Sequence, residues 1–131
     1  MDNDLRVKPI GVIRSPLKDP SDAPSQGSEA DIAGKLIVDE CYRDAFLGLQ
    51  RGQKIVILYW MHQAERDRLQ VHPRGDRSRP LKGVFATRSP HRPNPIAMAV
   101  VEVLEVDGVN LVVRGLDAID GTPLLDIKID L

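Results

Sequence analysis

The stretch GVFATRSPHRPNPIAMAV, residues 83–100, sets Arg88, Arg92 and Asn94 among three prolines. Each guanidinium is a planar fork of donors that matches a carboxylate or phosphate, and the Asn94 amide both donates and accepts. Pro90, Pro93 and Pro95 fix their own φ and push Ser89, Arg92 and Asn94 away from helix. The segment is therefore stiff before any ligand arrives, which lowers the ordering cost of binding. The chemistry expected here is capture of an anionic group. The plain alternative is a wide turn whose arginines face solvent.

Two further places carry chemistry. His62 follows the apolar run IVILYWM, and an imidazole in that position is either a capped core group or a proton acceptor. Asp120-Gly121-Thr122-Pro123 is a good turn and also places a carboxylate beside a glycine, where backbone can approach a ligand closely. Other chemistries are disfavoured. The sequence has no phosphate-binding loop, no dinucleotide fingerprint, no HExxH and no CxxC, and Ser89 lies in no nucleophile elbow. His62, His72 and His91 lack metal-ligand spacing and Cys41 is alone, so no metal is expected.

Charge is segregated. From Arg66 to Arg92 eight basic residues stand against two acidic ones, while the rest of the chain is acidic and the total is -1. Such asymmetry fits an anionic partner at one surface, and equally a solvated loop rich in arginine. Arg74, Arg77, Arg79 and Lys82 are the centre of this segment.

The elements that must position these residues are mostly strands. At 131 residues, 42% hydrophobic and 28% charged, the chain reads as a single globular domain over 1–131, with Val, Ile and Leu as core material. VKPIGVIRS predicts a first strand with Pro9 at an edge or bulge. A long polar loop, 16–34, follows, and then a short strand KLIV. DECYRDAFLGLQRG predicts a short helix stopped at Gly52. QKIVILYWM predicts a strand buried on both faces, and GVFAT another short strand. Asp107-Gly108 between Val-rich runs predicts a β-hairpin. A second Asp-Gly turn at Asp120-Gly121 leads to a closing strand, 124–129. About six strands, one or two short helices and no β-α-β alternation predict a mostly-β, small single-domain barrel. MDNDLRVKPIG has no apolar signal-peptide core and no run is long enough to span a bilayer, so a cytoplasmic location is expected.

GVIRSP (11–16), His62-Gln63, GVFATRSPHRPNPI (83–96) and LDAIDGTPLLDIK (116–128) together resemble the TsaA-like, or YaeB-like, family, from about Val7 to Lys128. The resemblance implies a YaeB-like β-barrel working as a homodimer. It implies that S-adenosylmethionine is bound and that N6 of threonylcarbamoyladenosine beside a tRNA anticodon is methylated. Carried onto this sequence, the donor site would comprise Pro24, Gln26 and Gly27, His62 and Gln63, Arg88 and Arg92, and Asp120, Gly121, Thr122 and Pro123. Arg88 or Arg92 would pair the donor carboxylate, Asp120 would accept from ribose or amino groups, and His62 is the candidate general base. Arg74, Arg77, Arg79 and Lys82 would face the tRNA.

The sequence departs from the family pattern at Ser25, where Arg is common, and at Ala97-Met98-Ala99 after RPNPI. Many bacterial members also extend further at the C-terminus, whereas this sequence ends at Leu131. Two classes of function stay open. One is a methyltransferase, favoured by the intact RPNP and DGTP motifs. The other is a non-catalytic module that holds S-adenosylmethionine or a nucleotide as a sensor or RNA-docking unit, favoured by Ser25 and the shorter C-terminus. Apolar residues on both faces of IVILYWM and IAMAVVEVLEV are a separate reason to expect a homodimer.

Overall fold

The computed structural model describes residues 5–18 and 32–131. Six strands close into an antiparallel barrel: β1 (Gly11–Arg14), β2 (Ala33–Val38), β3 (Lys54–Trp60), β6 (Ile96–Asp107), β7 (Asn110–Arg114) and β8 (Thr122–Ile129). Around the barrel the order is β1-β2-β7-β6-β3-β8, with β8 pairing back onto β1. Between β3 and β6 the chain leaves the barrel to form a two-stranded ribbon, β4 (Gln70–Val71) with β5 (Lys82–Gly83). The mostly-β barrel expected from the sequence is the fold observed.

Alternation places the core. Leu36 and Val38, Ile55, Ile57 and Tyr59, Val101 and Val103, and Leu111 and Val113 are all buried and face one another across the interior. Two β-bulges keep this alignment around the barrel. β6 gains Leu104 between Val103 and Glu105, so its inward positions change from odd to even and Val106 continues the core. β8 gains Leu125 opposite the Leu58/Tyr59 step, and its inward side passes from Leu124 to Ile127. β6 pairs first with β3 and then with β7, and β8 pairs first with β1 and then with β3. A six-stranded interior filled with Ile, Val and Leu has no room for a ligand, so chemistry must sit at a rim.

β1 and β2 approach closely because of two glycines. A Cβ on Gly11 would stand 2.1 Å from the carbonyl oxygen of Ile37, and one on Gly34 would stand 2.4 Å from Leu116 Cδ1. The β6–β7 hairpin turns at Gly108-Val109, one residue later than the Asp-Gly pair predicted, with Asp107 paired to Asn110 and Gly108 at φ +63°.

Several elements differ from the sequence expectation. The first strand begins at Gly11, leaving Pro9 outside it. The predicted helix is a 3-10 helix, Glu40–Phe46, bent at Tyr42, and the chain turns at Gly48 (φ +96°) before reaching Gly52. With so few residues, packing of Tyr42, Phe46 and Leu49 on the core decides its geometry more than helix propensity does. GVFAT is not a strand beyond Gly83, since Val84–Ala86 form a 3-10 turn. The run IVILYWM is fully buried only on its inward side, while Val56, Leu58 and Trp60 are half-buried outside. Most of the predicted polar loop, including Pro24, Ser25, Gln26 and Gly27, lies outside the described residues.

Candidate functional site

One rim gathers the motifs. The end of β1, the starts of β2, β6 and β8, and the ends of β3 and β7 all meet there by strand register. The proline-rich segment 88–95 enters β6 at this rim, and 61–66 leaves β3 beside it. Met61 N–H donates to the Pro95 carbonyl at 2.8 Å and Arg92 N–H to the Glu65 carbonyl at 3.1 Å. His91 Nδ1 accepts the Glu65 N–H at 3.0 Å. Pro95 is fully buried under this seam.

The two arginines of the stretch have different surroundings. Arg92 is half-buried and its guanidinium donates to three carbonyls of its own loop: Val84 at 2.8 Å, Ser89 at 3.1 Å and Thr87 at 3.4 Å. It closes the loop on itself, in place of a ladder. Arg88 is exposed and makes no hydrogen bond or ion pair with the described residues. It is the guanidinium available to an anionic ligand. Short hydroxyl bonds stiffen the segment further: Ser89 N–H donates to Thr87 Oγ1 and His91 N–H to Ser89 Oγ.

Sequence reasoning counted Arg66 only as charge. In the structure its Nε donates to the Pro93 carbonyl at 2.7 Å and its NH2 to Asn94 Oδ1 at 3.1 Å, while the guanidinium lies 5.3 Å from the Trp60 ring centroid. Arg66 thus ties RPNP to the end of β3. Asn94 is itself exposed, with its Oδ1 accepting from Arg66.

The DGTP turn is anchored to β1. Asp120 Oδ1 accepts the Ser15 N–H at 3.0 Å, Oδ2 accepts Lys18 Nζ at 3.2 Å, and Arg14 NH1 stands 3.6 Å away. The Ser15 amide first, then Lys18, hold the Asp120 carboxyl below its usual range. Gly121 takes φ +84° and donates its N–H to the Ile13 carbonyl, while buried Thr122 Oγ1 donates to the Ile119 carbonyl at 2.7 Å. Pro123 sits opposite Val12 in β8, beyond the last β3 partner.

Next to this turn the Tyr59 hydroxyl donates to Asp117 Oδ1, a pair not anticipated from sequence. Burial, with the Asp117 carboxylate beside it, pushes the Tyr59 phenol well above its usual value. Asp117 lies inside LDAIDGTP, and that membership was the signal available for it.

His62 and Gln63 are exposed just past β3, so His62 is not a core histidine. Arg74, Arg77, Arg79 and Lys82 lie on the β4–β5 ribbon, and all four are exposed. Arg79 faces Asp76 at 3.6 Å. The basic segment is folded into strands and a 3-10 turn instead of the irregular loop expected. A concavity of about 420 Å3 under the 3-10 helix, lined mainly by apolar side chains such as Ile10, Phe46 and Ile127 with Tyr42, Gln53 and Asp126 among them, lies at the opposite rim, away from His62-Gln63, RPNP and the DGTP turn. It holds no cationic side chain for an anionic ligand. Among the described residues no cluster of His, Cys, Asp or Glu could hold a metal.

Fold and site together define a small closed barrel with a filled interior and a rim of cationic, amide and carboxylate groups, a class unlike the open parallel sheets that bind nucleotides at strand ends. The chain belongs to the tRNA-methyltransferase O N-terminal domain family, which it matches over residues 12–129. A probable S-adenosyl-L-methionine-binding protein of Methanothermobacter thermautotrophicus is 49% identical over 97% of this chain and 90% of its own length. An S-adenosyl-L-methionine-binding protein of Archaeoglobus fulgidus is 48% identical over 93% of this chain and 86% of its own. The crystal structure of TrmO from P. aeruginosa superposes with a TM-score of 0.80 at 33% identity, covering all of this chain. This chain spans 56% of the length of that TrmO structure.

Proposed function

We propose that this protein is an S-adenosylmethionine-dependent RNA methyltransferase whose acceptor is N6 of threonylcarbamoyladenosine beside a tRNA anticodon. The observation that carries the reading is the convergence of GVIRSP, His62-Gln63, RPNP and DGTP on one barrel rim, in a chain of this family. The residues present fit such a donor. Arg88 offers a guanidinium with no described partner for its carboxylate, and Asn94 and Gln63 offer amides for ribose and adenine. Asp120, its carboxyl held below the usual range, would accept from ribose or amino groups, and Gly121 leaves the backbone approachable.

Bound there, S-adenosylmethionine supplies an activated methyl group. The chain's own task is to position the acceptor nitrogen and to exclude water, and positioning of this kind contributes roughly 7–11 kcal/mol in the best-oriented cases. The exposed His62 stands at the rim to take the proton that the acceptor nitrogen loses. The β4–β5 ribbon supplies Arg74, Arg77, Arg79 and Lys82 to the phosphates, and a tRNA substrate assigns the protein to the cytoplasm.

A homodimer forms part of this reading. Ile96, Met98 and Val100, each 40–47% exposed on the outer face of β6, make with Val56 and Leu58 an apolar surface that a second copy would cover.

The test is incubation with labelled donor and tRNA from a strain lacking the protein. Label in the modified nucleoside is expected. If calorimetry finds no donor binding to the wild type, the whole reading fails. A second reading, donor binding without turnover, is favoured by one fact: the two relatives matched over most of their length are named for binding alone. Donor binding with no transfer to any tRNA would establish it.

A further inference from the structure

We infer that Phe85 is a stacking platform for an unpaired base of the RNA, an inference that rests on the RNA reading above and gives its partner a point of contact. Phe85 is 84% exposed in a protein with only two phenylalanines. A ring left so far out of the core forgoes the burial that places most aromatic residues inside.

Its outward direction is built in. Val84, the preceding residue of the same 3-10 turn, is 2% exposed and anchors the turn inward. Val84 N–H donates to the Leu69 carbonyl at 2.9 Å, and Thr87 returns its N–H and its Oγ1 to the Val84 carbonyl. The Arg92 guanidinium donates to that carbonyl and to those of Thr87 and Ser89. Val84 in and Phe85 out is therefore a fixed arrangement, and the ring is presented by a rigid turn.

The neighbourhood selects the partner by charge. Lys82 and Arg88 flank the turn and are both exposed, and Arg74 and Arg77 stand on the ribbon that leads into it. No Asp or Glu occurs from residue 77 to residue 101. A second copy of this chain meeting Phe85 symmetrically would bring Lys82 and Arg88 against their own like charges. A single-stranded polynucleotide suits both features: phosphates for the cations, and a flat base for the ring. Stacking on an exposed aromatic needs the base out of a helix, which points to a loop nucleotide and not a stem. Leu69 and Leu81, 63% and 52% exposed, are further exposed apolar residues of the ribbon segment, and the Leu69 carbonyl accepts from the turn itself.

The test uses the full chain with an RNA hairpin that carries 2-aminopurine at successive positions of its unpaired loop, whose fluorescence falls when the base stacks. Wild type should quench one loop position. Phe85→Ala should lose that quenching and bind the hairpin roughly tenfold more weakly or worse, with the slope of affinity against salt unchanged because no phosphate contact is removed. Phe85→Trp should restore both. Donor binding by calorimetry reports that each variant is folded. Wild-type affinity and quenching in Phe85→Ala would overturn the inference, leaving the cations alone as the RNA contact. A lower oligomer mass in Phe85→Ala by light scattering would overturn it in favour of a second copy. If the wild type binds no RNA, the reading under Proposed function fails as well, whereas RNA binding indifferent to Phe85 removes only this inference.

Discussion

Arg88 and Arg92 are the same residue type four positions apart, yet the structure gives them different surroundings. Arg92 spends its donors on loop carbonyls. Arg92→Ala should therefore lower thermal stability by about 1–3 kcal/mol, the range for losing charge-assisted bonds to buried acceptors, and weaken donor binding only through the slackened loop. Arg88→Ala should leave the melting temperature in place and weaken donor affinity by roughly 1.5–3 kcal/mol. Calorimetry and thermal melts on the pair separate the two, and a melting loss in Arg88→Ala would contradict the assignment. Asp120 makes a pH prediction. Its carboxyl is held below the ordinary value of 3.8 by the Ser15 amide and Lys18. The stability it contributes is thus complete above that ordinary value and is lost as pH falls through its lower folded value. Acid titration of Asp120→Asn should show a shallower loss of stability below about pH 4, with no difference from wild type in shape near neutrality.

At the scale of elements the barrel is closed by approach as much as by pairing. β1 is only four residues long but joins β2 to β8, and it can do so because Gly11 lets the Ile37 carbonyl oxygen come to 2.1 Å from where a Cβ would stand, far inside van der Waals contact. Gly11→Ala should destabilise the fold by about 1–3 kcal/mol or more, since backbone and not a flexible side chain must move. Gly108→Ala, whose Cβ would meet only the Arg43 guanidinium at 3.9 Å but sits at φ +63°, should cost about 1–2 kcal/mol. Denaturant midpoints order the two. A Gly11→Ala variant as stable as wild type would mean that β1 can shift without opening the barrel. The bulges at Leu104 and Leu125 act at the same scale, because each shifts the inward-facing positions of its strand by one residue and keeps the core aligned around the barrel.

The whole molecule carries net charge -1, so it has no general attraction for nucleic acid. Any RNA affinity must come from the ribbon and the rim beside it. Reversing Arg74, Arg77 and Arg79 together to Glu should abolish tRNA binding and leave donor binding nearly intact, and wild-type affinity should fall steeply with salt. The described partner of Arg79 is Asp76, so Arg74 and Arg77 should account for most of the loss. An affinity indifferent both to moderate salt and to the reversal would show these arginines to be merely solvated. The apolar outer face of β6 predicts a dimer mass by light scattering at micromolar protein, and Met98→Glu should shift that mass toward the monomer.

Much of this was legible along the chain because it depends on local chemistry. Apolar, β-branched runs marked the strands, and prolines marked RPNP as stiff. Asp-Gly marked both turns, and the motif order marked the family. What neighbours far apart in sequence impose was not legible. Nothing in GVFAT announces that Arg92 caps its carbonyls and draws it into a 3-10 turn. Nothing in IVILYWM says that its outer side chains remain half-open. Arg66 reads as one more charge until it lies over Trp60 and until Pro93 and Asn94 are brought to it across 27 and 28 residues of chain. Tyr59 reads as core until Asp117 meets its hydroxyl. Residue types and spacing determined the strands, the stiffness and the charge. Only closure of the barrel decided which polar groups are consumed in holding the rim together and which are left facing outward, because a donor's availability depends on the acceptors that the fold places around it.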